Sequence, residues 1–213
     1  MGYLQRTPTT TGRTGCWTYS CWIKRNKLNA PSGTIQGLIA GSNNTFLRWN
    51  DDGNGDEVRF ANPDQSIYWK NAQRDPTAWV HMVLSCDVNQ DSGDNRTRLW
   101  LNGRRINEVR AGTATKGSIT WRVNNQSYAM VVNGTSADSQ RGTHQMCDLY
   151  WVDGIALEAE DFGYVKRGTG TVSIGTTINP AFRPGQWRPK LPKIVKKFIE
   201  GKGGFGTNGG FYQ

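Results

Sequence analysis

Long apolar stretches are missing from this sequence of 213 residues. No run approaches the roughly 18 apolar residues that a membrane span needs, and the opening residues, MGYLQRTPTT, lack the apolar segment of a signal peptide. Arg6 stands where the pattern for N-terminal myristoylation requires Ser or Thr. We therefore expect a protein with no membrane span, no secretion signal and no lipid anchor.

Metal-binding residues are also scarce, with four cysteines and two histidines. Cys16 and Cys21 lie an odd number of positions apart in a predicted strand, so their side chains should point to opposite faces and cannot form a disulfide bond. Cys86 lies on an apolar strand face, which suits a buried thiol. A zinc site needs clustered Cys or His, and the sequence has no CxxC pair. We expect four reduced cysteines, Cys147 included, and no metal or cofactor.

By contrast, aromatic residues and glycine are plentiful, with nine Trp, seven Tyr, seven Phe and 26 Gly. Residues 79–88 alternate between an apolar and a mixed face, as a half-buried strand does. Residues 97–101 alternate as well and end in Asn102-Gly103, a strong signal for a type I′ hairpin turn. A third strand should return through Ile106. This antiparallel meander predicts an all-β fold, with the side chains of Val80, Met82, Leu84, Cys86 and Val88 in the core.

Further strand candidates recur about every 8–12 residues, which is typical of a β-sandwich and not of βαβ units. The polar segment 1–15 should lie along a sheet edge, and residues 156–162, ALEAEDF, have the composition of one helical turn. We expect one sandwich domain, residues 1–163. Its other strands are predicted at residues 17–24, 35–40, 45–49, 58–61, 66–70, 118–123, 128–133 and 146–152.

Charge divides the chain near residue 163. Residues 1–163 carry 17 Lys and Arg and 16 Asp and Glu, a net charge of +1, whereas residues 164–213 carry nine and one, a net charge of +8. This basic arm is rich in Gly and Pro, and residues 192–199 are its candidate for a helix. Three roles remain open: a strap around its own sandwich, a docking arm for an acidic neighbour, or nonspecific contact with nucleic acid. Nucleic acid is the least favoured, because the arm lacks a series of stacking aromatics.

Several motifs in fixed order carry a resemblance. WVHMVLSCD at residues 79–87, RLWLNG at 98–103 and VDGIALEAEDFG at 152–163 are similar to motifs of the concanavalin A-like, laminin-G-like jelly rolls. Residues 3–28 and 74–79, with QWRPK at 186–190 and GTNGGFY at 206–212, more specifically resemble a group of structural proteins in tailed phages of aquatic bacteria. The resemblance implies a concanavalin A-like jelly-roll sandwich of two antiparallel sheets, here with an extended basic C-terminal arm.

Catalysis has little support in the sequence. Retaining glycoside hydrolases of this fold need two carboxyl groups about 5 Å apart across the scissile bond, carried on a strand that faces a cleft. The nearest group here is Glu158, Glu160 and Asp161, which falls in the predicted helical turn and suits helix-terminus and surface charge. No Ser/His/Asp signature is present either, and His81 in a strand is more often packed than catalytic. We expect no catalytic residue, with a glycoside hydrolase as a distant alternative.

A calcium loop is a weak possibility at Asp52, Asn54 and Asp56, whose spacing matches the first half of such a loop. Pro63 stands where the bidentate Glu should follow. A hairpin turn, DDGNGDE, explains the same residues, because Gly and Asn tolerate positive φ. We therefore predict no metal site.

Sugar binding is a stronger possibility. Lectins stack the apolar faces of sugars on exposed aromatic rings and bind the hydroxyls with polar side chains. Predicted strands place tryptophans beside arginine or lysine, and these could form a platform on one sheet. The alternative is that each ring belongs to the core of the sandwich. The candidate carbohydrate-binding residues are Trp49, Trp69, Trp100 and Trp121.

The resemblance implies a non-enzymatic virion structural protein that is made in the host bacterial cytoplasm. We expect a lectin-like module in a tail fibre or another receptor-binding role, with a head or tail decoration protein as the alternative. Its partners would be other virion proteins, further copies of itself, and host surface glycans. The candidate docking residues of the arm are Lys190, Lys193, Lys196, Lys197 and Lys202.

Overall fold

The structure is a computed structural model that describes residues 3–26, 36–42, 45–50, 57–62, 65–70, 75–117, 122–134, 144–166, 172–174, 177–179 and 185–213. Its fold is all-β, and two large antiparallel sheets pack face to face as a jelly-roll β-sandwich. Within these ranges, every helix is too short or too polar to cross a membrane.

The first sheet has seven strands within the described residues. They are β1 (Leu4–Arg6), β3 (Gln36–Ser42), β4 (Thr45–Asn50), β5 (Glu57–Ala61), β6 (Ser66–Lys70), β10 (Val109–Ala111) and β11 (Met130–Val132). Their order across the sheet is β1-β11-β3-β4-β5-β6-β10. The N-terminal segment therefore lies along a sheet edge, as the sequence predicts.

The second sheet has six described strands: β2 (Cys16–Lys24), β7 (Trp79–Asp87), β8 (Thr97–Leu101), β9 (Arg104–Arg105), β12 (Gln145–Asp153) and β17 (Gly210–Tyr212). Their order is β17-β12-β2-β7-β8-β9. Two ribbons pair β13 (Gly163–Lys166) with β16 (Gln186–Pro189), and β14 (Val172–Ile174) with β15 (Thr177–Asn179). The helices are α1 (Gly93–Arg96), α2 (Ala159–Phe162) and α3 (Pro192–Gly201).

The predicted meander is confirmed, and so is its turn. Asn102 and Gly103 have φ angles of 49° and 78°, which is the left-handed pair that a type I′ turn requires. Two other strand predictions need correction. Of residues 118–123, the first four lie outside the described residues, and Arg122 and Val123 are not in a strand. The strand predicted at 128–133 is limited to Met130–Val132, since Asn133 leaves the sheet with a φ of 64°.

The main core lies between the sheets and is rich in aromatic rings. Trp17 is fully buried, stacks on Trp151 with ring centroids 5.1 Å apart, and meets Phe60 edge-on at 5.5 Å. Burying each large side chain of this kind contributes about 1.5–3 kcal/mol. The apolar face predicted for residues 79–88 lies in this core. All four cysteines are free thiols, and Cys21 and Cys86 are buried there.

The basic arm covers the outer face of the six-stranded sheet. Pro192 begins α3 at a position where its missing N–H costs nothing, and Val195 and Ile199 of that helix are buried against the sheet. Leu191 and Ile194, by contrast, are 69% and 54% exposed. Trp187, Phe198 and Phe205 of the arm pack at the edge of this cluster. The arm thus builds a second hydrophobic core.

Both ends of the described chain meet at Asp153, the last residue of β12. This buried carboxylate accepts a hydrogen bond from the backbone N–H of Arg13 at 2.7 Å and another from the backbone N–H of Asn208 at 3.1 Å. The Asn208 side chain in turn donates to the carbonyl of Thr10 at 2.9 Å. Asp153 therefore joins the N-terminal segment to the loop that precedes β17.

Replacing this carboxylate should destabilise the whole sandwich. In Asp153→Asn, an amide N–H₂ would face a backbone donor, and we expect the free energy of unfolding to fall by ~2–4 kcal/mol. Urea denaturation at neutral pH measures the change. Asp91→Asn is the matched control, because the Asp91 side chain is 94% exposed, and it should stay within about 0.5 kcal/mol of the wild type. Equal stability of the two variants would contradict this role of Asp153.

Candidate functional site

A solvent-open groove of about 770 Å³ runs across the outer face of the six-stranded sheet. The end of β2, the start of β7, the hairpin turn after β8, a bulge in β12, and β16 of the arm together form its walls. Cross-strand register brings Trp22 opposite His81, and Cys147 opposite Trp22. The lining residues are Trp22, Ala78, Trp79, Asn102, Cys147, Asp148, Gly185, Gln186, Trp187, Arg188 and Pro189.

Three tryptophans give the groove its apolar surface. Trp22 stacks on the His81 ring with centroids 5.1 Å apart, and Trp187 stacks on the same ring at 5.9 Å. Both indoles keep part of their surface in solvent, while Trp79 is 40% exposed. The groove therefore presents several partly exposed aromatic rings side by side, and grouped apolar surface of this kind often marks a binding site.

His81 fixes the orientation of Trp187 through a partly buried hydrogen bond. The indole Nε1–H of Trp187 donates to His81 Nδ1 at 3.1 Å. Because Nδ1 accepts, the ring proton must reside on Nε2, which lies 2.9 Å from Ser20 Oγ and donates to it. Burial lowers the pKa of His81 to about 3, so the ring stays neutral at ordinary pH. His81 is thus packed and hydrogen-bonded, as the sequence suggests.

Two glycines make room for the Trp187 ring. A Cβ on Gly103 would lie 2.2 Å from one edge of the indole, and a Cβ on Gly163 would lie 2.3 Å from the other. Gly103 belongs to the hairpin turn after β8, and Gly163 begins the strand that pairs with β16. Any larger residue at either position would displace the indole from the sheet.

A β-bulge places the carboxylate of the groove. The pairing of β12 with β2 shifts register between Cys147 and Tyr150, and Asp148 takes a φ of 49°. Bulges of this kind redirect a side chain at functional sites, and Asp is one of the few residues that accepts this conformation. Burial and the nearby Asp148 carboxylate raise the pKa of the Cys147 thiol. The bulge thus brings a hydrogen-bond acceptor to the aromatic surface.

Donors complete the rim. Arg188, Gln186 and Asn102 are all exposed, and each side chain carries N–H groups. An apolar ring surface bordered by a carboxylate, two amides and a guanidinium matches the two needs of sugar recognition, which are stacking and hydroxyl hydrogen bonds.

The tryptophans predicted from the sequence lie elsewhere. Trp49 and Trp69 are 2% and 1% exposed in the main core, and Trp100 is 6% exposed beneath the arm. Trp49 and Trp69 point inward between the sheets, whereas Trp100 lies on the outer face and is covered by the arm, so little of any of these three rings is accessible to a sugar. Trp121 lies outside the described residues. The sequence did contain a signal for the groove. Trp22 shares a strand face with the polar residues Thr18, Ser20 and Lys24, which is unusual for a tryptophan of the core.

The other predicted site residues are placed as follows. Lys190 donates to the carbonyl of Glu160 at 2.5 Å, Lys196 lies 4.2 Å above the Phe211 ring, and Lys202 lies near Phe198. Lys193 and Lys197 are exposed on α3. These contacts give three of the five lysines a place on their own domain.

The acidic residues of the helical turn have the local roles expected from the sequence. Arg98 donates to the Glu158 carboxylate at 2.7 Å, and Asp161 accepts the backbone N–H of Glu158 at 2.8 Å at the start of α2. The possible calcium loop, residues 52–56, lies outside the described residues. In the part of the chain that the structure describes, no three His, Cys, Asp or Glu side chains cluster as a metal site.

Comparison with solved structures gives distant likenesses. No protein-family model matches the chain, and no curated protein sequence matches it. Domain 4 of AbnA, a GH43 extracellular arabinanase from Geobacillus stearothermophilus solved in complex with arabinotriose, is 15% identical with a TM-score of 0.44, over 67% of this chain and 63% of that one. Tailspike protein 2 (TSP2, ORF211) of Escherichia coli O157:H7 bacteriophage CAB120 is 10% identical with a TM-score of 0.47, over 75% and 22%. This chain spans less than two thirds of either structure's length.

His81 should make stability depend on pH. In the unfolded chain His81 takes up a proton below about pH 6.5, whereas in the folded protein its pKa is about 3. The unfolded state therefore binds more protons in this window, and the free energy of unfolding should fall by about 1.4 kcal/mol for each pH unit below 6.5. His81→Gln should remove this contribution, so its stability curve between pH 6.5 and 4.5 should be flatter than the wild-type curve in urea denaturation.

Ser20→Ala provides the control for this experiment. It removes the hydroxyl that His81 contacts but keeps the imidazole, so it should lower stability at every pH and retain the wild-type slope. Parallel curves for the wild type and His81→Gln would show that the buried histidine does not titrate as proposed.

Proposed function

We propose that this chain is a non-enzymatic, carbohydrate-binding module of a tailed-phage particle, in a tail-fibre or another receptor-binding role. The observation that carries the proposal is the aromatic groove, in which Trp22, Trp79 and Trp187 meet Asp148 and Arg188. The phage context rests on the sequence motifs, above all residues 3–28 and the hairpin and closing motifs of the sandwich.

The groove suits an oligosaccharide because it is open to solvent and lined by aromatic rings. A ligand enters an open groove from the side, so an internal stretch of a polymer can bind as well as its end. Trp22 and Trp187 are held by stacking on the buried His81, and rings that are already ordered lose little conformational entropy when a ligand binds. Such a site recognises the shape of a sugar ring first and its hydroxyl pattern second.

Binding is proposed in preference to hydrolysis because of what the groove presents. Acid–base cleavage of a glycoside uses two carboxyl groups on opposite sides of the bond. Asp148 is the carboxylate among the described lining residues, and it lies beside donors that would hold a sugar hydroxyl. This arrangement supports recognition of a host surface glycan.

Trp79 offers the cleanest test, because its exposed ring can be removed with little effect on the core. Screening the purified chain on an array of bacterial surface oligosaccharides should identify a ligand. For that ligand, Trp79→Ala should raise the Kd about tenfold, which corresponds to the loss of about 1.4 kcal/mol of stacking. Isothermal titration calorimetry measures the change.

Tyr3→Ala is the matched control, because Tyr3 is 41% exposed and directly precedes β1, the edge strand of the other sheet. Its affinity should equal that of the wild type, and both variants should keep the wild-type melting temperature. An unchanged Kd in Trp79→Ala, or an array without any bound glycan, would refute sugar binding at this groove.

One observation favours a second candidate function, that of a decoration protein acting in assembly. The outward side of α3 exposes Leu191 and Ile194 together with Lys193 and Lys197. Apolar and basic residues on one exposed helix suit an acidic, partly apolar surface on a neighbouring virion protein. Since Val195 and Ile199 hold the helix from its other side, this contact would not disturb the sandwich.

Point substitutions test the second candidate better than removal of the arm, which would uncover the apolar face beneath α3. Lys193→Glu with Lys197→Glu should reduce incorporation into phage particles several-fold, because the two new charges would repel an acidic partner. Quantitative mass spectrometry of purified particles measures incorporation. Arg6→Glu with Arg104→Glu changes the charge equally on exposed strand residues and should incorporate normally. Normal incorporation of the first variant would exclude docking through α3.

A further inference from the structure

Two side chains of opposite charge line the aromatic groove. Asp148 and Arg188 are the charged residues among its described lining residues, the first half-buried and the second exposed. Neither side chain forms an ion pair or a hydrogen bond with any residue that the structure describes, so they do not pair with each other. Both charges are therefore available to a ligand in the groove.

The backbone holds the carboxylate at this position under strain. Asp148 lies in the bulge of β12, where its φ of 49° falls in the left-handed region. Glycine adopts that region without strain, and residues with other side chains are found there mainly at ligand-binding and active sites. Burial and the Asp148 charge raise the pKa of Tyr150. The carboxylate thus acts as a negative charge on its neighbours.

Strand order separates the two charges. Asp148 belongs to β12, whereas Arg188 adjoins Trp187, whose ring stacks on His81 of β7. Because β2 lies between β12 and β7, these two strands run about 10 Å apart. One sugar ring is shorter than that distance, so the two charges suit groups on successive sugars.

A neutral glycan would leave both charges without a partner. A ligand that fills the groove removes water from Asp148 and Arg188, and a charge that loses water without gaining a partner is unfavourable. An ammonium group would pair with the carboxylate, and an acidic group would meet the planar guanidinium in a two-point contact. The indoles of Trp22, Trp79 and Trp187 add to this preference, because the face of an aromatic ring attracts a cation.

Given the proposed function of the groove, on which this inference rests, we propose that its ligand is a zwitterionic glycan, with a free amino sugar at Asp148 and an acidic sugar at Arg188. These two residues determine specificity, and the tryptophans hold the sugar rings. A repeat with one charge of each sign is neutral, so the exposed lysines of the arm give it no general attraction, unlike a simple polyanion.

Four matched oligosaccharides test the full chain. The parent is a tetrasaccharide of alternating glucosamine and glucuronate, and three derivatives have the amino groups acetylated, the carboxyl groups reduced to alcohols, or both. In calorimetry the parent should bind about tenfold more tightly than either singly altered derivative, since each change removes a charge-assisted contact. Asp148→Asn should erase the effect of acetylation and keep that of reduction, whereas Arg188→Gln should do the reverse.

Matched controls remove the same charges outside the groove. Asp91→Asn and Lys193→Gln change exposed residues and should retain both preferences to within about twofold. All four variants should keep the wild-type melting temperature, because Asn also accepts the left-handed φ at position 148 and Arg188 is exposed. In the wild-type chain, phenylglyoxal modification read by mass spectrometry should show Arg188 protected by the parent but not by its carboxyl-reduced derivative.

The outcomes separate this inference from the proposed function. Equal binding of all four oligosaccharides, or equal behaviour of Asp148→Asn and Asp91→Asn, would overturn the zwitterionic ligand, while a glycan whose binding needs Trp79 would still support sugar binding. Tighter binding of a peptide of alternating Lys and Glu would overturn it in favour of a protein ligand. Binding of no glycan, in this set or on the array, would refute the proposed function and this inference with it.

Discussion

The Trp187 indole, hydrogen-bonded and stacked on His81, is the interaction on which the outer face of the six-stranded sheet depends. It fits between Gly103 and Gly163, so the hairpin motif, the closing motif and the QWRPK motif of the arm meet at one ring. The same ring forms part of the groove wall. This one contact therefore helps to attach the arm, places the acceptor nitrogen of the neutral histidine, and builds part of the surface that we propose binds sugar.

Burial, more than charge, explains how the arm is held. A body of net charge +1 offers little attraction to an arm of +8, and the structure anchors the arm through Val195, Ile199 and the pairing of β17 with β12. The lysines are then spread around the anchored surface. Lys190 and Lys196 contact their own domain, whereas Lys193 and Lys197 remain exposed.

Local patterns in the sequence predict local structure well. Alternation along residues 79–88 and the Asn102-Gly103 pair were enough to predict two strands and their turn, because a period of two and positive φ are properties of adjacent residues. The groove could not be predicted in this way. The groove is formed by Trp22, Trp79 and Trp187, which are far apart in the sequence and are brought together by strand pairing. It also needs a bulge at Asp148, and no Gly, Pro or Asn at that position indicates a bulge. Trp49 and Trp69, which point inward, lie in strands with the same alternating pattern as the strand of Trp22, which points outward. The alternation alone therefore does not show which face of a strand is buried.

The two sides of α3 have different surroundings. Val195 and Ile199 are buried in the second hydrophobic core, whereas Leu191, Lys193, Ile194 and Lys197 are exposed. Substitutions on the outer side thus change the chemistry offered to a neighbour without altering the fold, and those on the inner side do the reverse. Were α3 the docking surface of the second candidate function, a few changes on its outer side would be enough to exchange one partner for another, while the sandwich and its groove stayed the same.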